Sequence, residues 1–167
     1  MRAVHVLFYR PQSDDHWINH LVSFFSPPFS HCDIQFEDGM ASSIYNRESV
    51  YMQPKRFSRL NYERISLTLN EDEYTLVHAF CTQAHTDKIE FDLPGMLMSY
   101  LPWGSMQRQD RTYCSRYVTE ALQASRKDDF TAMHAGGLSP SGLYTMLNEQ
   151  NRSFVFVAEN RLDQLKA

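Results

Sequence analysis

The sequence predicts an α+β fold, on three observations. An Asp38-Gly39 pair lies between two strand-like runs, which is the strongest short-range signal of a β-hairpin. Apolar residues recur at helical spacing in HWINHLVSFF, in EYTLVHAFCTQAHT and in the segment around CSRYVTEALQAS. The strands come early with one late addition, an order that favours α+β over a repeated βαβ unit.

Taken in order, Ala3 to Tyr9 (AVHVLFY) is an apolar run of strand length, closed by Arg10-Pro11 because proline removes a ladder donor. Ser13-Asp14-Asp15 offers an N-cap for the first helix, whose Trp17, Ile18, Leu21, Val22 and Phe25 share one face, and Ser26-Pro27-Pro28 ends it. The hairpin spans Ser30 to Tyr45. Tyr62 to Leu69 (YERISLTL) alternates Ile65, Leu67 and Leu69 with polar neighbours and reads as a strand. Asn70-Glu71-Asp72-Glu73 caps the next helix and sets acids at the positive end of its dipole. A short helix is expected within Phe91 to Leu101, starting after Pro94 and interrupted by Pro102-Trp103-Gly104. A longer helix begins around Thr112-Tyr113-Cys114-Ser115. Gly136 to Leu147 reads as a loop entering a short helix, and Ser153 to Ala158 (SFVFVA) as a final strand.

A chain of 167 residues fits one domain spanning 1–167, and 43% hydrophobic residues supply a core, so disorder is excluded as the main state. The balance of 16 Lys+Arg against 20 Asp+Glu, a net charge of -4, gives phosphate backbones no global attraction, and nucleic acid is not an expected partner. The three cysteines cannot all pair. With no secretory leader pattern in MRAVHVLFYRPQSDD, this fits a reducing, cytoplasmic setting. No apolar run reaches the length of a membrane span. The phosphate-binding patterns GxGxxG and GxxxxGK[ST] are both missing.

Chemistry concentrates on Cys114. At the expected start of a helix, unpaired backbone N–H groups and the macrodipole stabilise a thiolate, which is a strong nucleophile if a histidine lies within reach. Cys32 shares a strand face with Ile34 and Phe36, and Cys81 sits mid-helix beside Val77, Phe80 and Ala84, so both read as core. His31 opens the first hairpin strand, a sheet-end position from which a base can face a helix N-terminus.

A catalytic imidazole needs a third group to fix its tautomer, and the hairpin register decides which residue supplies it. If Asp38 and Gly39 form a two-residue loop, His31 opposes Asn46 and Asn46 is the orienter. If Glu37-Asp38-Gly39 form a three-residue loop with Gly39 left-handed, His31 shares its face with Tyr45, Ser43 and Ala41, and Ser43 or Tyr45 takes the role. His16 and His20 have the helical spacing of a metal pair, but position 17 is Trp rather than a zincin glutamate and no further ligand completes a site, so they read as a polar helix face. His5, His78, His85 and His134 show no pattern.

The segments SHCDIQFEDGMASSIY and TYCSRYVTEAL together resemble the circularly permuted NlpC/P60 group of papain-like proteins, which includes YiiX-like and lecithin:retinol acyltransferase-like members. In that group a histidine starts one strand, a polar residue follows on the neighbouring strand, and a nucleophilic cysteine begins a later helix. His31 matches the histidine, and Cys114, with Ser115, Val118 and Leu122, matches the cysteine helix. Leu138-Ser139-Pro140-Ser141-Gly142-Leu143 is similar to the S-P-x-x-L segment of YiiX-like members.

The resemblance implies a permuted papain-like fold, an antiparallel sheet packed against helices. It also implies a cysteine hydrolase or acyltransferase acting on an amide, thioester or ester. Catalysis would use Cys114 and His31 with Ser43 as the third residue, and no cofactor or metal. The substrate would be a peptide, amide or acyl compound, including lipids, with the Met-rich run from Phe91 to Trp103 as a lid in the lipid case. The rival expectation is a non-catalytic module on the same fold that holds a peptide or lipid in the groove between hairpin and helix.

Overall fold

Five strands pair side by side, all antiparallel, in the spatial order β4 (Tyr51–Pro54), β3 (Met40–Ser43), β2 (His31–Phe36), β1 (Arg2–Tyr9) and β5 (Tyr62–Leu69). The computed structural model describes residues 1–100 and 110–150. The fold is mixed α+β, with this sheet packed against several helices. The central strand β1 is flanked on both sides, and its Val4, Val6 and Phe8 are fully buried. The alternating residues of the neighbouring strands, Cys32, Ile34 and Phe36 on β2 and Ile65, Leu67 and Leu69 on β5, join them in one core.

The hairpin between β2 and β3 takes the three-residue register. Ile34 pairs with Ser42 and Gln35 with Ala41. Gly39 has φ of 83°, a left-handed conformation that glycine adopts without steric cost, and its N–H donates to the Phe36 carbonyl at 3.0 Å. The two-residue alternative, with Asn46 facing His31, is thereby set aside.

Helix α1 (Trp17–Phe25) joins β1 to β2 and starts later than Ser13-Asp14-Asp15 suggests. His16 is the cap, its Nδ1 accepting from the Ile18 N–H at 3.4 Å, while Asp15 instead takes the Tyr9 hydroxyl at 2.9 Å. The helix buries Ile18 and Val22 against Met96 and Tyr113. Trp17 and Phe25, 57% and 54% exposed, turn outward, so the buried stripe is narrower than the sequence suggests. Helix α2 (Glu71–Thr86) opens with the expected box: Asn70 Oδ1 accepts from the Glu73 N–H and Glu73 returns a carboxylate to the Asn70 N–H.

Beyond α2, the short strands β6 (Glu90–Phe91) and β7 (Arg111–Thr112) pair in parallel. Helix α3 (Leu93–Met98) lies between them in sequence, capped by Asp92, whose side chain accepts from the Gly95 N–H, with Pro94 inside its first turn. Helix α4 (Cys114–Ala124) then runs through the core, with Cys114 to Thr119, Ala121 and Leu122 buried. Helix α5 (Asp128–Thr131) and a 3₁₀ turn (Ala135–Gly137) lead to residues 140–150, which are helical. The strands β4, β6 and β7 carry no alternating pattern and were not expected. The expected strand at Ser153 to Ala158 and the break at Pro102-Trp103-Gly104 lie outside the described residues. No helix among the described residues is long and apolar enough to cross a membrane.

Candidate active site

Cys114 occupies the first position of α4. Its preceding residue Tyr113 is in an extended conformation, and no side chain among the described residues caps the helix. Tyr113 is held by its hydroxyl on the Gly136 carbonyl at 2.9 Å, and the second residue of the helix by Ser115 Oγ on the Leu138 carbonyl at 2.6 Å. The helix start is thus anchored by side chains that leave its leading N–H groups uncapped, at the positive end of the dipole.

His31, at the first position of β2 and only 5% exposed, stands beside Cys114, close enough for each group to shift the ionisation of the other. Its delivery depends on the loop between α1 and β2. Ser141 Oγ accepts from the Phe29 N–H at 3.1 Å and donates to the Ser26 carbonyl at 2.7 Å, and Ser26 Oγ bonds Ser139 Oγ at 2.6 Å. The Ser139-Pro140-Ser141 segment therefore clamps the chain that enters β2. Tyr45, opposite His31 in the hairpin register, stacks on the imidazole with centroids 4.3 Å apart and planes at 16°.

The other side of the imidazole faces a carboxylate. His31 Nε2 lies 3.4 Å from Oδ2 of Asp33, which is completely buried, two residues along the same strand and so on the same side of it. With Nε2 directed at Asp33, Nδ1 is the nitrogen left for the thiol. Asp33 is itself held: Lys55 Nζ donates to its Oδ1 at 2.9 Å and the Tyr51 hydroxyl donates to the same oxygen. Lys55 also reaches the hydroxyls of Tyr45 and Tyr51, at 2.5 and 3.0 Å. A buried carboxylate with a cation, a phenol and an imidazole around it stays ionised.

The electrostatics follow from these contacts. Burial disfavours an imidazolium, but Asp33 and Cys114 outweigh it and raise His31 to a pKa of about 9. Burial likewise works against the Asp33 anion, and His31, Lys55 and Tyr51 more than compensate, holding it below the usual carboxylate range. Cys114 is shifted far down, by a hydrogen bond from the Cys32 thiol against the cost of burial, with His31 adding to the effect. Cys32 moves the other way, raised by burial and by its anionic neighbour. Cys81, on the apolar face of α2, is pushed up to about 12 by burial. These directions favour a charged Cys114–His31 pair over a neutral one.

The remaining expected residues fall elsewhere. Ser43 lies in the hairpin next to His31's strand, but its Oγ donates to the Cys32 carbonyl at 2.6 Å, and the group at His31 Nε2 is Asp33. Cys32, expected to be plain core, is core on its strand face and also a direct neighbour of the Cys114 sulfur. His16, as the α1 cap, precedes the helix that carries His20, so the two do not form a helical pair. Asp33 is the residue that the sequence reading missed. Its signal was a carboxylate two residues from the histidine, on the face of the strand opposite Cys32, Ile34 and Phe36.

Cys114 and His31 open into a cavity of about 300 Å³, which Ser30, Asn46, His16 and Met96 also line. A volume of that order accommodates a small ligand group rather than a whole macromolecule. Compared with known proteins, the chain matches no family model, no curated protein and no solved structure.

Proposed function

We propose that the protein is a cysteine-dependent hydrolase or acyltransferase on a permuted papain-like, NlpC/P60-type fold. The observation that carries this reading is the contact of Cys114, at a helix N-terminus, with His31, whose second nitrogen faces the buried Asp33. Cys114 is the nucleophile and His31 its proton-carrying partner. Asp33 takes the orienting role that the sequence assigned to Ser43, which the resemblance made the third residue.

The Cys114 thiolate attacks the carbonyl carbon of an amide, thioester or ester, and the C=O electron pair moves onto oxygen. The Cys114 backbone N–H stabilises the resulting oxyanion. Collapse restores the carbonyl and breaks the bond to the leaving nitrogen, sulfur or oxygen, which takes the His31 proton. An acyl thioester on Cys114 remains. His31, now neutral, removes a proton from water or from an acceptor hydroxyl or amine. Attack by that nucleophile on the thioester expels the thiolate and restores the imidazolium. Water gives hydrolysis and another acceptor gives acyl transfer.

The rival reading, a non-catalytic peptide- or lipid-binding module, drew its support from a weak third residue. Asp33 supplies a charged one, which favours the enzyme. The reducing, cytoplasmic setting rests on the odd number of cysteines in the sequence. Incubation with an acyl or peptidyl electrophile at neutral pH, followed by mapping of the adduct, tests the assignment. We expect modification at Cys114 that disappears in His31→Ala. Modification at Cys32 or Cys81, or none, overturns it.

A further inference from the structure

We propose that the hydroxyl of Ser30 is the second oxyanion donor of this site, completing the pair whose first member is the Cys114 N–H. The proposal rests on the reading of Cys114 as an acylated nucleophile and adds a catalytic residue to it.

An oxyanion forming on a carbonyl carbon is held best by two donors aimed at one point, and a single helix-terminal N–H leaves the second unassigned. Ser30 is 3% exposed, and its Oγ has no hydrogen-bond partner among the described residues. Buried hydroxyls are rarely left so. The same residue lines the cavity into which Cys114 and His31 open. Its backbone is fixed rather than loose, with its N–H on the Tyr9 carbonyl at 3.0 Å and the preceding Phe29 N–H on Ser141 at 3.1 Å. Two residues further along the chain, Cys32 is an immediate neighbour of Cys114, and Ser30 and Cys114 line the same cavity.

Asn46 lines the cavity as well and has a buried atom without a partner among the described residues. That atom is Oδ1, an acceptor, so the orphaned group at Asn46 calls for a donor rather than for an oxyanion. The Ser30 hydroxyl can donate. It gives no proton away in the step: its O–H bond stays intact, the hydrogen bond strengthens as charge moves onto the carbonyl oxygen, and it relaxes when the leaving group departs.

Two reactions of the same sulfur separate this role from others. Acylation by p-nitrophenyl acetate passes through an oxyanion, whereas alkylation by iodoacetamide displaces iodide at a saturated carbon and forms none. In Ser30→Ala, the acylation rate of Cys114 should fall by about 100-fold, the usual order for one lost donor, while the alkylation rate is unchanged. Ser30→Thr, which keeps the hydroxyl, should restore acylation. If Ser30→Ala acylates as fast as the unaltered protein, or if acylation and alkylation fall together, Ser30 is not an oxyanion donor. If the unaltered protein is alkylated at Cys114 but never acylated there, the nucleophile reading itself fails and this proposal falls with it.

Discussion

Asp33 and His31 face each other at 3.4 Å from positions two apart on one strand, and the carboxylate is completely buried. The pair is thus set by the pleat of β2 alone and does not depend on the hairpin turn. Lys55 and Tyr51 bring the opposing contacts from β4 and the residue after it, which keeps Asp33 charged.

This relationship predicts different outcomes for the two candidate orienters. Asp33→Asn removes the anion that raises His31, so the His31 pKa should fall from about 9 and acylation of Cys114 by p-nitrophenyl acetate should slow by about 100-fold or more. Ser43→Ala should leave the pH profile of that reaction in place and lower stability by about 1 kcal/mol, the net value of its hydrogen bond to the Cys32 carbonyl. Rate against pH and a denaturant titration of both variants check this. A Ser43→Ala profile shifted like that of Asp33→Asn would return the orienting role to Ser43.

The ion pair also predicts a pH window. The reactive form needs Cys114 ionised and His31 protonated. Activity should therefore rise on the acid side as the lowered Cys114 thiol ionises, and fall on the alkaline side near pH 9 as His31 loses its proton. Stability should follow the same sign. A histidine raised from 6.5 to about 9 contributes fully below its unfolded value, and the contribution is lost as pH rises through about 9. Rate profiles and urea midpoints across pH 5 to 10 would show both; an alkaline limb near pH 7 would mean that Asp33 does not support the imidazolium.

Cys32 gives a third prediction. Its thiol is the largest influence lowering Cys114. Cys32→Ala should raise the Cys114 inflection and slow its alkylation in the acidic to neutral range, whereas Cys32→Ser, which keeps a donor, should lie closer to the unaltered protein. An unchanged inflection in Cys32→Ala would assign the low value of Cys114 to His31 and the helix dipole.

The positions of His31 and Cys114 are legible in the sequence because each lies at an element boundary with a local signal: a strand opening after Pro27-Pro28, and a helix start before an apolar stripe. The hairpin turn was legible in its glycine but not in its loop length, since Asp38-Gly39 suits either register and only the three-residue one brings Ile44 and Met40 to the core face of Ile34 and Phe36. Asp33 was missed because the orienter was sought across the hairpin rather than along the strand. Its partners Tyr51 and Lys55 come from a segment, SVYMQPK, with no alternation to mark it as a strand, and the charge of Asp33 makes sense only once they surround it. Trp17 and Phe25 show the opposite failure, with helical periodicity overstating a face that the core does not cover.

The central claim is that Cys114 is the reactive thiolate and forms an ion pair with His31. The most direct test is the rate of iodoacetamide alkylation at each cysteine as a function of pH, in the folded protein and in His31→Ala. Cys114 should react fastest, with an inflection well below the usual thiol value of about 8.5, while Cys81, raised to about 12, stays inert through neutral pH. His31→Ala should move the Cys114 inflection upward. Equal reactivity of Cys114 and Cys81, with no effect of His31→Ala, would contradict the account.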